Sequence, residues 1–235
     1  MRRETANVLL VLLGGALLKI AWNGSYLRYV KPSLLPFLVA TGVVIVALGV
    51  LAITRDVRRG RPAGIGHEHG GRSPWLLVLP VLAIFLVAPP ALGADKVNRS
   101  VQTVGAQDRS AFDFDALPAG EVAALPMGEF VTRAVWASSS LDGRRLRVVG
   151  FVVRDADGAT SLARLTIACC AADALPVQVR LDGAGAWLAG LPQDSWLQVE
   201  GVLVPGSATP ANRFLPALAV SAVQPVPAPE QPYEY

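Results

Sequence analysis

The sequence predicts an α-helical membrane region with three spans, followed by an all-β C-terminal domain built as a small OB-like barrel. Three observations predict it. The 235 residues are 52% hydrophobic and only 17% charged, and their mean hydropathy is +0.44. That apolar excess is concentrated before residue 95, which points to membrane spans rather than one oversized core. Beyond residue 130 the pattern changes to short Val-rich runs, two of them with a glycine near the centre. Mid-strand glycine is how a short barrel turns its corners.

The first apolar run, 6–22, is broken only by Asn7 and Lys19. About 17 residues is the short end for a spanning helix. Lys19 can snorkel to the interface beside Trp22, Tyr26 and Tyr29, which explains it without a function. The second run, 34–54, carries no charge and is the clearest span. The third, 75–94, is also uncharged, and Pro80 with Pro89-Pro90 should kink or end it. The bilayer is therefore the first expected partner.

Charge sets the orientation. Arg2 and Arg3 precede the first run, and Arg55, Arg58, Arg59, Arg61 and Arg72 follow the second; the intervening loop has only Arg28 and Lys31. The positive-inside rule places the N-terminus and the second loop in the cytoplasm and everything from Asp95 onward outside it. A bacterial cell-membrane, multi-pass protein with an extracytoplasmic C-terminal domain follows. If the first two runs formed a hairpin that does not cross, this assignment would reverse. Ala91-Leu92-Gly93-Ala94 resembles a cleavage site, but a signal peptide has one apolar core and here there are three. The formal charge of +3 therefore serves membrane orientation, and no nucleic acid partner is expected.

Residues 95–129 read as a polar linker with little periodicity, with room for one short helix or strand around Phe112 to Leu117. The β domain is expected over 130–224. Arg145 to Arg154 is a strand with Gly150 at its centre, and Asp155 to Gly158 supplies a turn. Ser161 to Cys169 alternates, putting Ala163, Leu165, Ile167 and Cys169 on one face. Val177 to Leu181, Ser195 to Val204 around Gly201, and Leu218 to Val223 complete five strands. A five-stranded Greek-key barrel accommodates them, and a small open sandwich shares the same periodicity. The Pro-rich tail, 225–235, is expected to be disordered.

The only two cysteines, Cys169 and Cys170, are adjacent. If the strand runs through them, Cys169 faces the interior and Cys170 the opposite side. Three readings stay open: small buried hydrophobes or a local disulfide, a soft-metal contact, and redox chemistry. A disulfide between neighbours would be strained, because adjacent Cα atoms sit about 3.8 Å apart and disulfides prefer about 4.4–6.8 Å. For metal, the pair falls short of a closed four-ligand zinc site; Asp173 is the only acidic neighbour. The only two histidines, His67 and His69, flank Glu68 in a Gly-rich loop, a weak metal contact at best. Trp136, Trp187 and Trp196 offer stacking faces, for which core packing is the simpler use. No catalytic motif stands out, so an enzyme is not expected, and the sequence leaves any cofactor unknown.

The runs GFVVRD (150–155), LARLTIACCAADALPVQV (162–179) and WLQVEGVL (196–203) resemble the YcgQ-like bacterial membrane proteins. The shared pattern includes Arg164, Cys169, Cys170, Ala172 and Asp173, with Leu165 standing where an aromatic residue is usual; the HxH loop is also similar. The resemblance implies a subunit of a two-component permease working beside a multi-span permease in the same membrane. Three apolar spans with almost no internal charge are too few to build a transport path alone. The expected function is thus a membrane-anchored accessory subunit whose outer domain contacts cargo or gates its partner. The alternative is an extracytoplasmic thiol-redox or soft-metal protein using the same cysteines.

Overall fold

A computed structural model of the chain describes residues 3–58, 90–100, 114–117, 120–154, 158–183, 188 and 190–235. The chain divides into two units, Met1–Pro90 and Ala91–Tyr235. Most of the third expected span, together with His67 and His69, lies outside the described residues.

In the first unit α1 (Arg3–Trp22) and α2 (Leu35–Arg58) form an antiparallel hairpin. Asn7 Nδ2 donates to Asp56 Oδ2 at 3.0 Å, tying the open end. The helices meet through glycine. A Cβ on Gly42 would stand 3.0 Å or less from two side-chain atoms of Leu18, and one on Gly49 would stand 2.8 Å from Val11 Cγ2. Gly42 and Gly49 are the buried residues of α2. Its large apolar side chains point outward instead: Phe37 is 69% exposed, Val44 55% and Leu48 57%.

The described residues bear out the expectation of three spans only in part. Among the described residues, one helical stretch, Pro32–Arg58, is long and apolar enough to cross a membrane, with a mean hydropathy of 2.7. The apolar part of α1, Ala6–Trp22, rises only about 25 Å at 1.5 Å per residue, short of a hydrocarbon core of about 30 Å.

The second unit is mostly β. It contains α3 (Ala94–Arg99), β1 (Val122–Ala124), α4 (Met127–Trp136), β2 (Arg145–Arg154), β3 (Thr160–Thr166), β4 (Leu175–Asp182), β5 (Trp196–Leu203), β6 (Ala217–Pro225) and β7 (Tyr233–Glu234). These strands form one seven-stranded sheet in the order β1-β2-β5-β6-β4-β3-β7, and β2 also pairs with β3. The ladder through β2, β5, β6, β4 and β3 therefore returns to β2. Pairing is antiparallel except for β4–β6, β1–β2 and β3–β7.

The two central glycines explain how. The first part of β2 pairs with β5 up to Phe151, and Phe151 to Arg154 pair with β3. At that changeover a Cβ on Gly150 would lie 2.5 Å from the Ala163 carbonyl oxygen, so only glycine lets the strands approach. Gly201 does the same at a register shift between β5 and β6, where its Cβ would lie 2.3 Å from the Ala219 carbonyl oxygen.

Alternation then fills the space within the ladder. Leu146, Val148, Leu162, Val179, Leu197, Val199 and Leu218 share one core with Met127, Phe130 and Val131 of α4. A second core gathers Phe151, Val153, Ala163, Leu165, Ile167 and Tyr233 with Ala94 and Val97 of α3. β3 is consequently buried on both faces from Ser161 to Leu165.

Three expectations change. The stretch 95–129 contains most of α3, all of β1 and the start of α4, so part of the expected linker is built into the domain. The tail is not uniformly loose, because β7 adds to β3 and buries Tyr233; one aromatic anchor outweighs its Pro-rich composition. Finally, β3 stops at Thr166, three residues before Cys169, and Cys169 is exposed rather than interior.

Candidate functional site

β3 ends at Thr166 beside β7. Ile167 N–H donates to the Glu234 carbonyl at 2.9 Å, and the chain then turns through Ala168, Cys169 and Cys170 into a 3₁₀ turn, Ala171–Asp173, before β4 begins. Asp173 organises the turn. Its Oδ1 accepts the N–H of Ala168 at 2.9 Å, and its Oδ2 accepts those of Cys169 at 2.9 Å and Cys170 at 3.2 Å. Three successive amides aimed at one carboxylate make charge-assisted bonds, stronger than neutral ones. Short polar side chains that bond the nearby backbone are what such turns need.

Asp173 thereby fixes both sulfurs. They are free thiols with Sγ atoms 3.6 Å apart, Cys169 exposed and Cys170 half-buried. The Cys169 thiol beside the Asp173 carboxylate holds that carboxyl down at about 2, with the backbone amides acting in the same direction. The same carboxylate, helped by Cys170, pushes the Cys169 thiol up to about 12. Near neutral pH Cys169 is therefore a thiol, whereas the thiolate is the nucleophile in thiol chemistry. Ala172 sits exposed on the same turn.

Arg164, the remaining motif residue, belongs to a different cluster. It lies within β3 and is almost fully buried. Its Nη2 donates to the Gln231 carbonyl at 3.3 Å, its Nε lies 3.6 Å from Glu234 Oε1, and its guanidinium carbon stands 4.9 Å from the centre of the Trp196 ring. Burial lowers its pKa, opposed by the charges of Glu234 and Tyr235. Glu234 in turn accepts the N–H of Met127 at 2.8 Å and of Gly128 at 2.7 Å, so it caps α4 where the unpaired amides and helix dipole favour an anion. Next to it, Tyr233 Oη accepts the Leu92 N–H at 3.0 Å. Arg164 is thus a structural clasp for the C-terminus. Glu234 and Tyr233 were missed in the sequence; the only signal was an aromatic-acidic-aromatic ending on a Pro-rich tail.

Of the three tryptophans with candidate stacking faces, two are described and pack on aromatic neighbours. Trp196 stacks edge-on with Phe151 at 5.5 Å, and Trp136 packs against Phe214 at 6.1 Å; Trp187 lies outside the described residues. Lys19 falls in the last turn of α1. Among the described residues, Cys169, Cys170 and Asp173 form a group of metal-ligand types with donor atoms within 4.8 Å of one another.

Residues 135–235 match the DUF1980 C-terminal domain. The match runs from the end of α4 to the C-terminus and takes in the whole Cys169–Asp173 turn and the Arg164 clasp. Among curated proteins and solved structures, nothing matches the chain.

Proposed function

We propose that the chain is a membrane-anchored accessory subunit of a permease complex, whose β domain is an OB-like barrel held outside the cytoplasm to contact cargo or gate a multi-span partner. The observation that carries this reading is the inside-out hairpin. A helix buried in a soluble core hides its large side chains, whereas α2 hides Gly42 and Gly49 and presents Phe37, Val44 and Leu48 outward. That arrangement suits lipid, where helices associate by close backbone packing rather than by hydrophobic exclusion. In this reading the bilayer thins around the short α1, so α1, α2 and the run 75–94 all cross, and three crossings put the domain on the face opposite the N-terminus.

The barrel reading draws its support from the returning ladder and from the glycines at its two tightest approaches. The permease partner is what the YcgQ-like resemblance implies. Against the redox alternative stands the protonated state of Cys169, since an exchange catalyst works through a thiolate.

The test is isolation of the intact chain from its native membrane in mild detergent, followed by identification of what accompanies it. A multi-span protein in constant ratio to the chain is the expected result. Recovery of the chain alone, still folded, would overturn the subunit reading.

A further inference from the structure

We infer that Cys169, Cys170 and Asp173 form an open three-ligand site for a thiophilic divalent cation of the zinc type, with the fourth position left to water or to a donor on a partner. This names the class of cargo for the outer domain, and its role in transport rests on the subunit reading above; binding itself does not.

The sulfur spacing selects the geometry. With metal–sulfur bonds of about 2.3 Å, sulfurs 3.6 Å apart subtend about 103° at the metal, close to a tetrahedral angle. Linear two-coordination with the same bond lengths would need sulfurs about 4.6 Å apart, so the turn favours a tetrahedral ion over a two-coordinate one. The third donor is already aimed. A carboxylate offers about four lone-pair positions; in Asp173 three are taken by the amides of Ala168, Cys169 and Cys170. The fourth is the one a cation would take, since the two sulfurs and a carboxylate oxygen of Asp173 all lie within 4.8 Å of one another. As each sulfur–metal bond forms, the thiol proton leaves to solvent.

The amides also act as the outer shell. Ligand carboxylates are commonly fixed by hydrogen bonds that orient them, and here three backbone N–H groups hold Asp173. Cys169 is exposed, which gives an entry path. A closed structural zinc site has four protein ligands and is buried, whereas an open three-ligand site keeps a position for exchange. Such a site suits capture and hand-over.

The probes are Co²⁺ and Zn²⁺ alone, added to the reduced full-length chain in detergent. The expected result is one equivalent of Co²⁺ giving thiolate-to-metal charge transfer with the intense visible bands of a tetrahedral ion, displaced by Zn²⁺. Zn²⁺ should also protect both thiols from iodoacetamide. Cys169→Ser with Cys170→Ser should abolish the charge-transfer band, Asp173→Asn should weaken binding about tenfold or more, and His67→Ala with His69→Ala should leave the spectrum unchanged. An octahedral spectrum without charge transfer in the unaltered chain would overturn the site, whatever the variants do. So would a band that survives the double serine change. A chain that binds Co²⁺ this way but travels without a permease overturns the subunit reading and leaves the site standing. One that travels with a permease but gives no thiolate band overturns the site alone.

Discussion

Where α1 meets α2 the residues hidden from solvent include Gly14, Gly42 and Gly49, while Phe37, Val44 and Leu48 stand outside. In the β domain the order is reversed: Phe130, Leu146 and Leu218 are completely buried. On the membrane reading proposed above, the same side chains obey one rule in two surroundings. In water, burying large apolar surface drives packing, at about 25 cal/mol per Å². In lipid that gain is absent, and helices approach wherever the side chains are smallest. Hydropathy therefore locates both regions but says opposite things about which residues touch.

The sharpest way to break this comparison is a matched pair of truncations. Phe130→Ala should destabilise the β domain by about 3–5 kcal/mol, measured as the shift in its denaturant midpoint in the detergent-solubilised chain. Leu48→Ala, equally apolar, should cost less than about 0.5 kcal/mol, the range of exposed substitutions. If Leu48→Ala proved as costly as Phe130→Ala, α2 would be a buried core helix and the inversion would be lost.

A smaller effect separates two carboxylates near the C-terminus, Glu234 and Glu230. Glu234→Gln removes the charge facing Arg164 and weakens the cap on α4, so it should cost about 1–3 kcal/mol, the range for hydrogen bonds to charged groups. Glu230→Gln, at an exposed site five residues earlier than the C-terminus, should leave thermal unfolding unchanged. Equal effects would mean that the tail is not clasped.

The mildest effect concerns reactivity and pH. Cys169 is exposed yet pushed up to about 12 by the Asp173 carboxylate, so iodoacetamide should modify it more slowly at pH 8 than an ordinary exposed thiol. Asp173→Asn should speed that reaction. Because Asp173 is lowered from 3.8 to about 2 in the folded chain, the turn gains its stabilisation above the ordinary value and loses it as pH falls toward the folded one. The raised Cys169 runs the other way: its contribution is complete below its ordinary 9.0 and is lost as pH rises through about 12. Thiol accessibility followed across both windows checks the signs; a flat profile would contradict the thiol–carboxylate interaction.

Much of the β domain was legible because period-two alternation survives wherever only one face of a strand is buried. β5 is the clearest case, alternating half-buried and buried residues from Trp196 to Leu203. β3 was harder, since α3 and β7 cover its second face and the buried run continues through Ser161 to Leu165. The expected strand was accordingly carried three residues too far, to Cys169, and with it the interior placement of that sulfur. β1 and β7, of three and two residues, are too short to show any period at all. Within the candidate site the cysteines and Asp173 stood out by composition and spacing. Glu234 did not, because it meets Arg164 from 70 residues away and no local pattern announces such a partner.

By itself, the sequence determined that the chain has an apolar N-terminal region and a β-rich C-terminal one, that Gly150 and Gly201 mark bends, and that Cys169, Cys170 and Asp173 fall on one short segment. These are local properties, written in periodicity and composition. Tertiary structure decided that β2 pairs on both sides, that the C-terminus is clasped by Arg164, and that both sulfurs lie 3.6 Å apart on a surface turn. Those outcomes depend on which distant backbone amides compete for the same carbonyls and carboxylates, and that competition exists only once the chain has folded.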